Sequence, residues 1–346
     1  MAIKNEFELI QRYFVRPQPT QCGDSGVVIA IGDDCALTEL PAGYQLAITT
    51  DTMVENTHFL PSISPADLAY KAVTTNLSDL AAMGARPMWI SLALTLPHIN
   101  ENWLAGFSQS LFAVLADYQV RLIGGDTTKG PLSITITAQG IVPKEKALYR
   151  HQAKVGDLIY VSGTLGDSAA GLQAIFAAPP HQTSVNQAPL SSQSAVDFSR
   201  EFLIQRHLRP TPRVALGLAL CTVANAALDI SDGLTADLSH ILERSGCAAE
   251  LELSQLPMSD ALLNYVGREQ AERYALIGGE DYELCFTVPT ENRAAIARIA
   301  AETGVACTCI GRVIAESKIP QLVLLRHGKP AEVNYSGGFD HFKERE

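Results

Sequence analysis

Short β-like runs alternate with helical patterns along the whole chain, and this alternation limits the folds open to it. In the first half, Ser64, Pro65 and Gly84 mark the cap, the first turn and the end of a helix between apolar runs. Predicted strands cover residues 27–31, 46–50, 133–137, 158–162 and 282–288, and another strand ends at 229. Three predicted helices cover 101–116, 212–220 and 234–244, and two others begin at 65 and at 167. The pattern predicts an α/β or α+β fold.

The composition turns basic and irregular around residues 143–154, which marks a domain boundary. We predict an N-terminal domain over 1–145 and a C-terminal α/β domain over 146–346. A chain of 346 residues has room for two domains of ordinary size. Residues 179–196 are rich in Pro, Gln and Ser, which predicts a mobile surface loop or an irregular insertion.

Acidic residues recur in short motifs, most of them rich in glycine or threonine. In five of six motifs the acid follows or ends a β-like run, and open α/β sheets bind ligands at strand ends. In the sixth, Asp79 falls in the last turns of a helix, where the macrodipole disfavours a carboxylate. The motifs are IGDD (31–34), TTDT (49–52), NLSD (76–79), GGDT (124–127), DISDG (229–233) and GGED (278–281).

Each motif alone also has a structural explanation, because Gly-Asp is a common turn pair and Ser-Asp-Gly can start a helix. Clustered carboxylates, however, repel one another by about 4 kcal/mol per pair at 4 Å unless cations are present. Carboxylates with threonine hydroxyls and few histidines favour Mg²⁺ and do not indicate zinc. Since Mg²⁺ commonly bridges to substrate phosphates, the motifs indicate a nucleotide enzyme.

The usual nucleotide-binding motifs are missing from the sequence. Residues 125–131 read GDTTKGP, which lacks the Lys-Ser/Thr pair of a P-loop, and no GxGxxG follows a strand. Metals, backbone amides and a few cations would then hold the phosphates. Lys129 and Arg150 are the best placed cations, and a solvated surface charge is the alternative explanation for each.

Charge and cysteine content exclude several classes of partner and compartment. The net charge of −11 repels nucleic acids and anionic membrane surfaces. No segment is long and apolar enough to cross a membrane, and Glu6 and Glu8 replace the basic start of a signal peptide, so we expect a cytoplasmic protein. Seven cysteines without a CxxC pair favour reduced thiols, and strand alternation explains Cys307 and Cys309 as well as metal binding does.

Seven segments of the chain form an ordered series of longer motifs: IGDDCAL (31–37), TTDTMVENTHF (49–59), NLSDLAAMGARP (76–87), LIGGDTTKGPL (122–132), LDISDGL (228–234), GGEDYELCF (278–286) and GGFDHF (337–342). In this order they resemble the motifs of the thiamine-monophosphate kinase family. The resemblance implies the two-domain fold of the aminoimidazole ribonucleotide synthetase superfamily. Residues 1–145 would form the domain that binds ATP and Mg²⁺ and forms a homodimer through its sheet, and residues 146–346 would form the α/β domain that completes the active site. It also implies transfer of phosphate from ATP to thiamine monophosphate, with several Mg²⁺ ions.

The resemblance further implies a role for individual residues, and Asp51, Asp126 and Asp232 are expected to be catalytic. The implied metal ligands are Asp34, Thr49, Thr50, Asp51, Asp79, Asp126, Asp229 and Asp232. The implied nucleotide contacts are Gly125, Asp126, Arg150 and Ser231. The implied contacts to the thiamine moiety are His58, Glu280 and Phe339. The alternative explanation is a packing role for His58 and Phe339 and a role in a turn for Glu280.

Two alternatives to this function stay open. One is another ATP-using member of the superfamily, such as a selenophosphate or aminoimidazole ribonucleotide synthetase. The other is a non-catalytic regulator that binds nucleotide with Mg²⁺. If the protein is such a kinase, the phosphate of thiamine monophosphate is the acceptor, and it is mostly ionised at neutral pH. We therefore expect direct in-line transfer of the γ-phosphate without a general base.

Overall fold

The computed structural model describes residues 5–16, 26–177, 195–317, 319 and 321–331. It divides into two compact units, residues 1–147 and 148–346. This division falls inside the basic stretch that the sequence marks as the boundary, and the role assigned to each domain stays a prediction.

The first unit is built on a four-stranded sheet in the order β3-β6-β4-β5, with a small separate pair β1-β2. Antiparallel pairing joins β6 to β3 and to β4, whereas β4 and β5 run parallel. Its elements are α1 (Glu6–Tyr13), β1 (Val27–Ile29), β2 (Leu37–Thr38), β3 (Tyr44–Val54), α2 (Pro65–Ala82), β4 (Arg86–Leu96), α3 (Glu101–Asp117), β5 (Arg121–Lys129) and β6 (Ser133–Pro143).

Helix α2 covers one face of this sheet and begins as the sequence predicts. The Ser64 hydroxyl accepts the backbone N–H of Asp67 at 3.0 Å, and Pro65 fills the first helical position. The other face carries two hydroxyl pairs at 2.9 Å, Thr50–Thr137 and Thr52–Thr135. Alternate residues of β3 therefore serve opposite faces of the sheet.

The second unit is built on a seven-stranded sheet in the order β13-β12-β9-β11-β7-β10-β8, in which only β12 and β9 pair in parallel among the described strands. Its strands are β7 (Leu158–Ser162), β8 (Ala226–Asp229), β9 (Cys247–Glu252), β10 (Leu284–Val288), β11 (Cys307–Glu316), β12 (Gln321–Arg326) and β13 (Lys329–Pro330). Its helices are α4 (Asp167–Phe176), α5 (Ala195–Leu208), α6 (Val214–Leu220), α7 (Leu234–Ser245), α8 (Asp260–Val266), α9 (Arg268–Ile277) and α10 (Arg293–Thr303).

The predicted fold class is confirmed, while several predicted boundaries are wrong. The predicted strand 282–288 begins at Leu284, because Tyr282 has a φ of 51° that a strand does not accept. The predicted strand 27–31 ends at Ile29, shortly before Gly32 with a φ of 124°. Residues 195–196 belong to α5, and the rest of the predicted loop 179–196 lies outside the described residues.

The structure bears on the absence of a membrane span and on the position of two cysteines. Among the described helices, none has the length and apolar character to cross a membrane. Cys307 and Cys309 lie in strand β11, as alternation predicts, with both side chains partly buried.

Candidate active site

Three of the predicted metal ligands of the first unit lie together between β3 and α2. The Thr49 hydroxyl donates to Oδ2 of Asp79 at 2.5 Å. The backbone N–H of Asp51 donates to Oδ1 of Asn76, one helical turn before Asp79, at 3.2 Å. Helix α2 therefore brings the Asp79 carboxylate against the face of β3 that carries Thr49 and Asp51.

The two carboxylates of this group destabilise each other's charge. Burial, and then the negative charge of Asp79, raise the pKa of Asp51 to about 6, against a smaller lowering by a hydrogen bond with Thr75. Asp79 adds the cost of a negative charge near the C-terminal end of its helix. A cation would offset both costs, and these oxygen donors fit a hard ion such as Mg²⁺.

The structure does not bring the Thr50 or Asp126 side chains into this group. The Thr50 hydroxyl bonds Thr137 on the opposite face of the sheet. Asp126 lies on β5, and β3 and β5 are the two edges of the four-stranded sheet. Strands β6 and β4 lie between them, so three strand spacings of about 4.8 Å separate the backbones of β3 and β5, roughly 14 Å along the sheet.

The expectation that the acids follow or end strands is wrong for Asp51 and Asp126 of the first unit. Asp51 and Asp126 are both inside strands, and Asp34 is exposed in the turn after β1. The sheet is mainly antiparallel, so its ligands are presented from a face and not from the carboxyl ends of parallel strands. In the part of the chain that the structure describes, no three or more His, Cys, Asp or Glu side chains gather closely enough to hold a metal.

A metal in the first unit would then have few protein ligands, which suits Mg²⁺. This ion is commonly held by one or two carboxylates, with waters and substrate phosphates completing its shell. The Asp51 and Asp79 carboxylates with the Thr49 hydroxyl form a set of that size.

Gly125, a predicted nucleotide contact, has a clear packing role. Its φ is 153°, and a Cβ added there would lie 1.9 Å from the Leu92 carbonyl oxygen on β4. Only glycine allows β5 to approach β4 this closely. Lys129 is the exposed last residue of β5, four residues further along.

His58 has a structural partner within its own turn. Its Nδ1 accepts the backbone N–H of Val54 at 3.0 Å, so the proton of the neutral ring is on Nε2. The turn also contains Asn56 with a φ of 65°. This contact agrees with packing at a strand boundary, and the thiamine contact stays a prediction.

In the second unit, the DISDG and GGEDYEL segments are joined by backbone hydrogen bonds. Glu280 donates to the Ser231 carbonyl at 2.7 Å, Tyr282 donates to that of Ile230 at 2.9 Å, and Ile230 donates to that of Glu283 at 2.7 Å. A Cβ on Gly279 would lie 2.6 Å from the Ser231 carbonyl oxygen, so glycine is needed for the close approach. The pairing places Ser231 and Glu280 side by side.

Asp237 organises the DISDG turn and was missed by the sequence reasoning. Its Oδ2 accepts the backbone N–H groups of Ser231, Asp232 and Gly233 at 3.0–3.1 Å. Burial raises its pKa to about 6, although these hydrogen bonds oppose the rise. An acid in the first turn of a predicted helix was the available signal.

The two predicted metal ligands of this segment differ in burial. Asp229 ends β8 with 4% of its surface exposed, while Asp232 is half-buried.

Two further acids of the GGEDYEL segment are buried anchors that the sequence reasoning also missed. The Asp281 carboxylate accepts the N–H groups of Gly166, at 2.6 Å, and Ser168, at 3.2 Å, at the start of α4. Burial raises the pKa of Asp281 to about 8. Glu283 accepts hydrogen bonds from Ser162 Oγ at 2.6 Å, Arg206 Nη2 at 2.9 Å and Arg213 Nε at 2.6 Å. The basic run 206–213 was the sequence signal for these partners.

The remaining predicted contacts are Arg150 and Phe339. Arg150 is exposed, and its carbonyl accepts the Ser245 hydroxyl at 3.0 Å. Phe339 lies outside the described residues. The nucleotide and thiamine roles of these two residues stay predictions.

Both units match models of known protein families. The family model "AIR synthase related protein, N-terminal domain" matches residues 32–142, and the model for the C-terminal domain of the same proteins matches 154–320. The two units thus define an enzyme fold of the AIR synthase-related class. Within that class, the chain belongs to the thiamine-monophosphate kinase family, as its sequence motifs predict.

Full-length similarity supports this assignment. The chain is 59% identical to the thiamine-monophosphate kinase of Haemophilus influenzae, over 98% of each protein. It is 42% identical to the crystal structure of thiamine-monophosphate kinase from Stenotrophomonas maltophilia, with a TM-score of 0.79 over 90% of this chain and 93% of the other. A structure of AaThiL complexed with AMPPCP and TMP is 33% identical, with a TM-score of 0.72 over 90% and 92%.

Proposed function

We propose that this chain transfers the γ-phosphate of ATP to thiamine monophosphate, giving ADP and thiamine diphosphate. The observation that carries the proposal is the half-buried pair of carboxylates, Asp51 and Asp79, on the scaffold of this family. Such a pair is costly in an apo protein and suits a site that receives a metal together with phosphates. The ligands AMPPCP and TMP of the AaThiL structure are of the corresponding chemical kinds.

Mg²⁺ is part of this proposal. Thr49, Asp51 and Asp79 would hold one ion, and Asp34, Asp126, Asp229 and Asp232 are the candidates for others. When bound, the ions neutralise phosphate charge and stabilise the charge of the transition state. The hydroxyl of Thr50 points to the opposite face of the sheet from Thr49, Asp51 and Asp79. Thr50 could therefore bind the same ion only through its backbone carbonyl.

The contribution of the protein is orientation more than proton transfer. A phosphate monoester has its second pKa near 6, so the acceptor oxygen is mostly ionised at neutral pH and needs no general base. Asp237 and the backbone pairing fix the Ser231 turn, and Ser231 and Arg150 are the proposed nucleotide contacts. His58, Glu280 and Phe339 are the proposed contacts to the thiamine moiety, and Asp51, Asp126 and Asp232 the proposed catalytic residues.

We also propose a cytoplasmic homodimer formed through the sheet of the first unit. The face opposite α2 exposes Ile48, Leu46 and Tyr44 of β3, with Ile48 60% exposed. An apolar strip beside paired threonines is better suited to a protein interface than to water. A net charge of −11 argues against nucleic acid and anionic membranes as partners.

The function is tested by incubating the protein with ATP and thiamine monophosphate and measuring thiamine diphosphate. We expect product with Mg²⁺ and none with excess EDTA. Turnover in EDTA would contradict the metal requirement. ATP turnover without thiamine monophosphate would indicate a different enzyme of the superfamily, and nucleotide binding without any turnover would indicate a regulator.

A further inference from the structure

The loop that carries Glu280 is held in an uncommon backbone conformation. Glu280 and Tyr282 have φ values of 66° and 51°, in the left-handed region that residues other than glycine seldom adopt. Such conformations persist only where the surroundings impose them. Here the backbone bonds to Ile230 and Ser231, together with the buried Asp281 carboxylate, impose the conformation.

Glu280 differs from the two buried acids that follow it. Asp281 and Glu283 are 2% and 0% exposed and are anchored by protein donors, whereas the Glu280 side chain remains 30% exposed. The carboxylate of Glu280 is therefore reachable by a ligand. Its Oε2 atom lies 3.5 Å from Nδ1 of His207.

His207 is a buried side chain near the C-terminal end of α5, with 7% of its side chain exposed. Its Nδ1 also lies 3.0 Å from the hydroxyl of Ser168, on the first turn of α4. A carboxylate oxygen faces an imidazole nitrogen favourably when that nitrogen carries a proton. With a proton on Nδ1, this N–H faces both the Ser168 hydroxyl at 3.0 Å and, as the longer contact, the Glu280 carboxylate at 3.5 Å, from a ring that α4 and α5 hold in place.

We propose that His207 is a positioning residue that fixes the Glu280 carboxylate for the thiamine moiety. The proposal rests on the proposed function, in which Glu280 contacts thiamine monophosphate. The thiazolium ring of thiamine carries a permanent positive charge, so a carboxylate is a suitable partner for it. Holding that carboxylate in one orientation before binding removes an entropic cost of association. Because His207 itself need not touch the ligand, its effect should pass through Glu280.

The test uses variants that differ in whether a donor remains near the position of Nδ1. His207→Asn keeps an amide donor there, His207→Gln moves the donor away from it, and His207→Leu removes it. The affinity for thiamine monophosphate is measured by calorimetry in the presence of Mg²⁺ and AMPPCP. We expect the dissociation constant to rise about tenfold in the Leu and Gln variants and about twofold or less in the Asn variant. The affinity for AMPPCP should stay within about twofold throughout.

A double-mutant cycle with Glu280→Gln shows whether the effect passes through that carboxylate. If it does, His207→Leu should cost little further affinity when Glu280 is already Gln. The positioning role would be overturned if His207→Leu lowered the affinity for thiamine monophosphate equally with Glu280 and with Gln at position 280. It would also be overturned if the variant lowered the affinities for AMPPCP and for thiamine monophosphate equally. Thermal unfolding checks each variant, and if the Leu variant does not fold, equal affinities of the Asn and Gln variants would overturn it.

The binding measurement keeps this proposal separate from the proposed function. Wild-type protein that binds thiamine monophosphate without phosphorylating it would refute the function, while the variant affinities still decide on His207. Wild-type protein that does not bind thiamine monophosphate would overturn both.

Discussion

The substitution Gly125→Ala separates a packing role from a nucleotide-binding role at one position. A Cβ there would lie 1.9 Å from the Leu92 carbonyl oxygen, about 1 Å inside the shortest contact that real Cβ atoms make. The φ of 153° adds backbone strain for any residue with a side chain. Strand β5 must therefore move away from β4 and weaken their pairing around Leu92.

We estimate the cost as about 3 kcal/mol or more, the range for overpacking combined with backbone strain. For a unit of this size the loss corresponds to a fall in melting temperature of about 10 °C. The neighbouring Gly124→Ala is the matched control, because its Cβ would meet nothing within 4 Å. That variant should melt within about 2 °C of the wild type.

Thermal and urea unfolding of both variants, followed by circular dichroism, measure the difference. The reasoning is refuted if Gly125→Ala melts like the wild type, since β5 would then tolerate a side chain at that position. A Gly125→Ala protein of normal stability with weakened ATP affinity would instead establish Gly125 as a nucleotide contact.

Three other perturbations follow from the proposed site. Asp51→Asn should lower kcat at least about 10³-fold, because a ligand of a catalytic ion is lost, and circular dichroism should show a folded protein; near wild-type kcat would refute the role. If the protein is the proposed dimer, Ile48→Lys should convert it to a monomer in sedimentation experiments, whereas Val155→Lys, at a site of similar exposure in the second unit, should not; an unchanged dimer would exclude this face. Labelled γ-phosphate of ATP should not stay on the denatured protein when thiamine monophosphate is omitted, and stoichiometric label would establish a phospho-enzyme.

Local signals in the sequence were sufficient for the fold class and for several elements. Helix α2 begins at Pro65 after the Ser64 cap, as predicted, because capping is decided by a few neighbouring residues. Strands β3 and β6, in contrast, extend over eleven residues each, well beyond the predicted runs. Their threonines and polar residues belong to strands because they pair across the sheet, and pairing partners are not visible in a single sequence.

The sequence identified site residues that lie in short local motifs, but it did not show how distant segments of the chain come together. The motifs pointed to Thr49, Asp51 and Asp79, which the structure brings together. They did not reveal that Thr50 faces the other way or that Asp126 lies at the far edge of the sheet. Those facts depend on strand order and on the alternation of side chains within a register that tertiary structure sets.

The buried anchors were not predicted for a similar reason. Asp281 and Glu283 resemble other acids in the sequence, yet they are buried because α4, Arg206 and Arg213 supply donors from distant parts of the chain. A buried carboxylate is acceptable only with such donors. Their presence is a property of the fold and not of the motif.

The stereochemistry of the transferred phosphorus tests direct transfer to thiamine monophosphate most directly. ATP made chiral at the γ-phosphorus with sulfur and oxygen isotopes is incubated with thiamine monophosphate and Mg²⁺, and the configuration of the terminal phosphorus of thiamine diphosphate is determined. A single in-line displacement inverts the configuration, and inversion is the result that we predict. Net retention would require two successive displacements through a residue that acts as a nucleophile, and it would contradict direct transfer.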